Sequence, residues 1–404
     1  MTRFVRLSGF LILLVVACRG AAPAVAQSTD QRQLAALVDS LMPAVAKATG
    51  LEFKSVPKSA IRTREQIRAY LVAKFAREMP PARLDGIANA YRLLGMLPDS
   101  LDVRQLFLDL YTEQIAGFYD PDSLTLFAVA GSDPAQLRLV LAHELVHALQ
   151  HEYVPLDSIL HDTTDADQLG AAQAMLEGQA TLASMVALFP TADLINNDAF
   201  WDSFRDQLRQ QQFGTTLFAK APLVIREGLT FPYVSGAEFV RWFRKTHPGN
   251  EPFGGAMPRS TEQVLHTDRY ARGDVPLEVR FAADTGITFE DTFGEFDIEV
   301  LRAIVQGTTD VRTDPAIGWG GDRLRVYRSA GGPALVWVIV WDEPRNAAWF
   351  ASQVAAPLVL KGRPGYRTVV DSLMIGGKTA TRVVVAPLGW NRWKSLPVAE
   401  IRHL

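Results

Sequence analysis

The sequence predicts an α+β protein: a mostly helical N-terminal region with one small edge hairpin, followed by a C-terminal α+β module. Three observations carry this. The first hundred residues after an apolar leader place their apolar positions at helical spacing; the period then changes around Asp120-Pro121-Asp122-Ser123; and the last 120 or so residues mix strand-like runs such as "PALVWVIVW" with helical ones.

In chain order, the leader "MTRFVRLSGFLILLVVACRGAAPAVAQ" has Arg3 and Arg6, an apolar run from Gly9 to Ala17, and then small residues. It reads as a secretory signal peptide, since a spanning helix needs about 20 apolar residues. Two processing readings stand side by side. Ala24-Val25-Ala26 suits cleavage after residue 26, and Val15-Val16-Ala17-Cys18 suits a lipobox that removes residues 1–17 and anchors a lipidated Cys18 to the membrane. Either way the expected location is extracytoplasmic. Cys18 is the one cysteine, so the mature chain has no disulfide and no thiolate site. Any metal must be held by His, Asp or Glu.

"QRQLAALVDSLMPAVAKATG" is a helix ending on Gly50, and "TREQIRAYLVAKFAREMPP" a second, opened by a capping box from Thr63 to Gln66 and stopped by two prolines. A third runs from a cap at Ser100 to Gly117. "FYDPDSLTLFAVAG" follows as a hairpin. Asp133 as N-cap and Pro134 at the first helical position then start "SDPAQLRLVLAHELVHALQHEY". The next helix, "DADQLGAAQAMLEGQATLASMVALF", is rich in Ala and Gly, which lets a neighbouring backbone approach closely. From Asp193 to Tyr270 the pattern is mixed helix and loop, punctuated at "FPYVSG". Residues 28–275 thus form a helical region and core, and 276–404 the accessory module, with strands at "RLRVYRS", "PALVWVIVW" and "KTATRVVVAPL" and a helix at "EPRNAAWFASQVA".

Composition is that of a globular chain: 404 residues, 48% hydrophobic, 21% charged, net charge −3. Losing Arg3, Arg6 and Arg19 with the leader leaves 38 basic against 44 acidic residues, about six negative charges. With no basic excess to contact phosphates, nucleic acid is excluded as a partner.

The chemistry concentrates in "HELVHALQHEY". His143 and His147, four apart on a helix, project from one face at a spacing suited to one ion. Zinc accepts two imidazoles, and Glu144 points where it can take a proton from a metal-bound water. The ion lowers that water's pKa from about 15.7 to roughly 7 and polarises a scissile carbonyl. Catalytic zinc takes three protein ligands. Gln150 and Tyr153 stand where a metzincin needs Gly and His, so that class is excluded. The remaining common solution is a glutamate from a second helix. Glu177 is the only carboxylate between Gln168 and Phe189, and a lone acid on an apolar helix is costly unless paired or metal-bound. A salt-bridged core glutamate is the plainer alternative.

His143-Glu144-x-x-His147 with Glu177 from a following helix resembles the gluzincin zinc metallopeptidases. The runs "YTEQIAGFYDP", "EGQAT", "FPYVSG" and "STEQVLH" are similar to bacterial exported peptidases of the peptidase MA-like kind, over roughly Arg62 to Tyr270. The resemblance implies a zincin-like core, Zn2+ as cofactor, a peptide or protein substrate laid along the edge hairpin, Glu144 as general base, and Tyr233 or His266 as donor to the developing oxyanion. One position departs. Thermolysin-like gluzincins place an aspartate four residues after the ligand glutamate to support the first histidine, and here stands Thr181. Some other carboxylate or a backbone carbonyl must orient His143.

Other histidines are plainer. His151 lies a turn too far along to share the ion; His161 and His247 adjoin loops. Six of the eight tryptophans fall from Trp319 onward and suit core packing. Two further readings differ in class from a peptidase: an envelope binding or assembly protein that keeps the zinc without hydrolysis, and a metal-free interaction protein in which the helix is incidental.

Overall fold

A computed structural model describes residues 30–156, 159, 165–210 and 216–402. The leader with Cys18 and both processing readings lies outside the described residues, as does His161. The fold is mixed α+β, with helices first and a β-sheet in the C-terminal part.

Helix α1 (Gln31–Thr49) opens with a capping box from Asp30 to Gln33 and ends at Gly50, whose φ of 70° is a left-handed cap a side chain would strain. Its stripe of Leu34, Val38, Leu41 and Val45 packs with Leu141, Leu145 and Leu149 of α5 (Pro134–Tyr153). Strand β1 (Lys58–Arg62), which local sequence pattern does not announce, pairs parallel with β3 (Thr125–Val129). The expected hairpin joins β3 antiparallel to β2 (Gly117–Asp120), giving the order β1-β3-β2.

Helix α2 (Arg64–Glu78) starts on the expected Thr63–Gln66 box. The two prolines after it mark a boundary between helices, because Pro81 suits the first turn of α3 (Pro81–Leu93). The cap of α4 (Val103–Gln114) is Asp102, not Ser100: its carboxylate accepts the Gln105 N–H at 2.9 Å. Asp133 caps α5 as expected, accepting from Ala135 and Gln136.

The Ala-rich helix is α6 (Ala166–Leu188). After α7 (Asp198–Gln210) and the short α8 (Leu217–Lys220) comes α9 (Leu223–Thr246). "FPYVSG" is not punctuation: α9 runs through it with Pro232 inside. Packing explains the override of a residue that removes a helical hydrogen bond. Gly178 of α6 and Gly236 of α9 meet backbone to backbone, and a Cβ on Gly236 would fall 1.9 Å from the Ala174 carbonyl oxygen. Two more short helices follow, α10 (Thr261–Leu265) and α11 (Thr267–Arg272).

In the C-terminal part, β4 (Glu278–Phe281) pairs with β10 (Ala399–Arg402), and a five-stranded antiparallel sheet runs β5-β6-β7-β9-β8. Its strands are β5 (Ile287–Asp291), β6 (Trp319–Tyr327), β7 (Ala334–Trp341), β8 (Tyr366–Ile375) and β9 (Lys378–Pro387). Strand β7 is buried along its whole length, as its unbroken apolar run requires. Helix α12 (Gly294–Val305) covers one face, with α13 (Pro344–Phe350) and α14 (Ala356–Lys361) beside it. Trp319, Trp337, Trp341 and Trp390 are core residues. Helix α3, from the first hundred residues, also lies on this sheet: Gly86 faces the Phe289 ring so closely that a Cβ would stand 2.4 Å from it. Among the described residues, no helix is long and apolar enough to cross a membrane.

Candidate metal centre

Helix α5 presents His143 and His147 to α6, and the glycine crossing just described brings α9 against the same stretch. Three donor atoms converge there. His143 Nε2 lies 3.0 Å from Glu177 Oε2 and 3.0 Å from His147 Nε2, and His147 Nε2 lies 3.5 Å from the same carboxylate oxygen. Tetrahedral zinc with bonds of about 2.0–2.1 Å needs donor separations of roughly 3.3 Å, so this donor set fits a zinc-sized ion. His143, Glu144 and His147 are fully buried and Glu177 is 3% exposed.

The two carboxylates are distinguishable. Glu177 touches both imidazoles, whereas Glu144, whose carboxylate is also within 4.8 Å of the imidazole nitrogens, is held from behind. Its Oε2 accepts the Tyr119 backbone N–H of β2 at 2.8 Å, and its Oε1 is buried without a hydrogen-bond partner among the described residues. Strand β2 alternates its backbone groups between β3 and its other side, where the buried Tyr119 N–H meets Glu144 of α5.

The electrostatics follow from burial and contact. Burial opposes ionisation of Glu177, but the charge of His147 and hydrogen bonds from both histidines outweigh it and hold the carboxyl at about 2. Burial likewise opposes a proton on His147, yet Glu177 beside it pushes the imidazole up to about 9. Burial lowers His143. Glu144 has no comparable counter-charge, and burial pushes it up to about 8 against the pull of His147 and of the Tyr119 N–H. Positive charge is favoured between Glu177 and the imidazoles, and a divalent cation would satisfy the same demand.

Tyr233 projects from α9 into this group. Its ring centroid is 6.0 Å from that of His143, its hydroxyl is in hydrogen-bond contact with Glu177, and burial followed by the charges of Glu177 and Glu144 raises its pKa well above the ordinary value. His266 is not brought there. It caps the end of α10, and its Nε2 lies 2.5 Å from Glu295 Oε1 of α12. His151 bonds the Tyr119 hydroxyl through Nδ1 at 3.0 Å, one turn beyond the ion's reach. His247 stacks on Phe243 and bonds Thr246.

The support expected for His143 differs from the expectation. Its Nδ1 meets neither a carboxylate nor a carbonyl, and it and Thr181 Oγ1 are both buried without a hydrogen-bond partner among the described residues. Support falls instead on His147, whose Nδ1 lies 2.8 Å from Gln150 Oε1. Sequence reasoning used Gln150 only to exclude a class. Its position three residues after His147, on the same helix face, was the available signal.

Residues 282–385 match a domain of unknown function, DUF8575. No curated protein and no solved structure matches the chain.

Proposed function

We propose that this chain is an exported zinc-dependent metallopeptidase with a zincin-like core, in which His143, His147 and Glu177 hold the ion. The observation that carries the reading is the convergence of one oxygen and two imidazole nitrogens within 3.0–3.5 Å, from α5 and from α6, the latter pinned to α9 by the glycine crossing. When bound, zinc supplies Lewis acidity and acidifies water to a pKa of about 7. With a cation beside it to offset the burial that pushes its carboxyl up to about 8, Glu144 can receive a proton at Oε1 while Oε2 stays anchored on Tyr119 N–H. Tyr233, held over His143 and Glu177, donates its hydroxyl to the oxyanion that develops on a peptide carbonyl. The apolar leader supports export.

One observation favours a second reading, a metal site that does not hydrolyse: the ligands and Glu144 are 0–3% exposed, as a closed structural site would have them. Two variants separate the readings. The purified protein is expected to contain stoichiometric zinc that Glu177→Ala loses, and absence of zinc in both would end the metal reading. Glu144→Gln is expected to keep the zinc and lose hydrolysis of a denatured protein substrate. A Glu144→Gln protein as active as wild type, or a wild type that holds zinc and cleaves nothing, would leave the structural site.

A further inference from the structure

A chain of polar groups, buried at its inner end, leads away from His147. Gln150 Oε1 faces His147 Nδ1 at 2.8 Å, and Gln150 Nε2 lies 2.8 Å from both the Leu176 carbonyl oxygen and Gln179 Oε1. Gln179 Nε2 lies 3.0 Å from Glu251 Oε2, and Arg244 Nη2 is 2.7 Å from Glu251 Oε1. Arg244 also donates to the Ala48 carbonyl at 3.1 Å, which ties the chain to the end of α1. Gln150 and Gln179 are both 0% exposed, so no solvent competes for these bonds.

The direction of every hydrogen in the chain is forced, and from both ends. The Leu176 carbonyl can only accept, so the Gln150 atom facing it is the NH2 group and the oxygen faces His147. That oxygen can only accept, so His147 carries its hydrogen on Nδ1. From the other end, the Glu251 carboxylate fixes the Gln179 NH2, which turns the Gln179 oxygen toward Gln150. The two assignments agree, so neither amide can flip without setting two acceptors against each other.

We infer that Gln150 is a positioning residue for the metal centre: it fixes His147 as the Nδ1–H tautomer, so that the lone pair of neutral His147 stays on Nε2, the atom facing His143 and Glu177. Gln179, Glu251 and Arg244 hold Gln150 in that orientation. The inference rests on the metal reading above. It gives His147 a support that His143 Nδ1, without a partner among the described residues, lacks.

The experiment is a zinc competition titration against a chromophoric chelator, wild type beside Gln150→Leu, with imidazole proton spectra of the zinc-loaded wild type. Wild type is expected to bind one equivalent and Gln150→Leu to bind about 10- to 100-fold more weakly, with a circular dichroism spectrum that shows it folded. The wild-type His147 Nδ1 proton is expected to exchange slowly with water. Equal affinity in a folded Gln150→Leu, or a His147 Nδ1 proton that exchanges as fast as an exposed imidazole, overturns the role of Gln150 and leaves the metal centre standing. Should the variant not fold, the proton spectrum decides. A wild type that takes up no zinc overturns the metal centre and this inference together.

Discussion

Gly178 and Gly236 meet where α6 and α9 cross: a Cβ on Gly178 would lie 2.1 Å from the Gly236 carbonyl carbon, with no flexible side chain between them to yield. The crossing sets the distance between Glu177, next to Gly178, and Tyr233, which lies three residues before Gly236. Gly236→Ala is therefore expected to cost at least about 1–3 kcal/mol through overpacking and to lower zinc occupancy. Gly228 is the control on the same helix, since nothing lies within 4 Å of its would-be Cβ. Gly228→Ala is expected to be neutral or to stabilise by up to about 1 kcal/mol through helix propensity. Thermal unfolding and zinc content of the two variants check this, and equal behaviour would mean that the crossing does not set the site.

Tyr233→Phe tests the hydroxyl without touching the ring that packs near His143. If the hydroxyl leaves its resting contact with Glu177 to meet the developing oxyanion, kcat is expected to fall roughly 100- to 1,000-fold with KM little changed, and zinc content measured beside it shows whether losing the Glu177 contact alone weakens the site. A Tyr233→Phe variant with normal kcat would remove the tyrosine from the proposed reaction. His266→Ala is expected to leave kcat near wild type, because its imidazole is committed to Glu295 and not to the ligand group.

What the sequence made legible is what local chemistry decides. Gly50, Thr63 with Gln66, and Asp133 with Pro134 each announce a helix end through bonds to their own neighbours. The pair His143 and His147 is equally local. Missed features depend on partners distant in sequence. Strand β1 exists because residue 58 pairs with residue 125, and Pro232 is tolerated inside α9 because the helix is pinned to α6 one turn further on, at Gly236. Gln150 looked like an absent glycine until its partners on α6, Leu176 and Gln179, were in place. His266 went to Glu295, 29 positions downstream, for the same reason.

Asp322 on β6 joins the sheet to helix α12. One carboxylate oxygen accepts from Gly294 N–H at 2.9 Å and Trp319 Nε1 at 3.0 Å, the other from Phe293 N–H at 3.0 Å and Trp337 Nε1 at 2.7 Å. Asp322→Ala leaves four buried donors without an acceptor and is expected to destabilise by more than about 3 kcal/mol. Asp322→Asn, which retains one acceptor oxygen and turns an NH2 group toward two of the donors, is expected to fall between. Chemical denaturation of the three proteins checks the order, and an alanine variant as stable as the asparagine one would show that the four bonds contribute little.

The buried acids near α12 predict how stability depends on pH. Burial, reinforced by the charges of Asp322 and Asp291 and opposed by the Tyr91 hydroxyl, pushes Asp297 from 3.8 up to about 8. Burial pushes Glu295 up to about 8 and Asp322 up to about 6. Each group binds its proton more tightly folded than unfolded. The stability it contributes is complete below its unfolded pKa near 4 and is lost as pH rises through the folded value. Zinc binding at the proposed centre would release protons and run the opposite way, so wild type alone does not isolate the effect. Asp297→Asn does, because the amide resembles the protonated acid at every pH and keeps the ligand group intact. At matched zinc, Asp297→Asn is expected to become more stable relative to wild type as pH rises from 5 to 8.5, read as a growing difference in urea midpoint. A difference that stays constant, or shrinks, over that range would mean that Asp297 is ionised in the folded protein throughout.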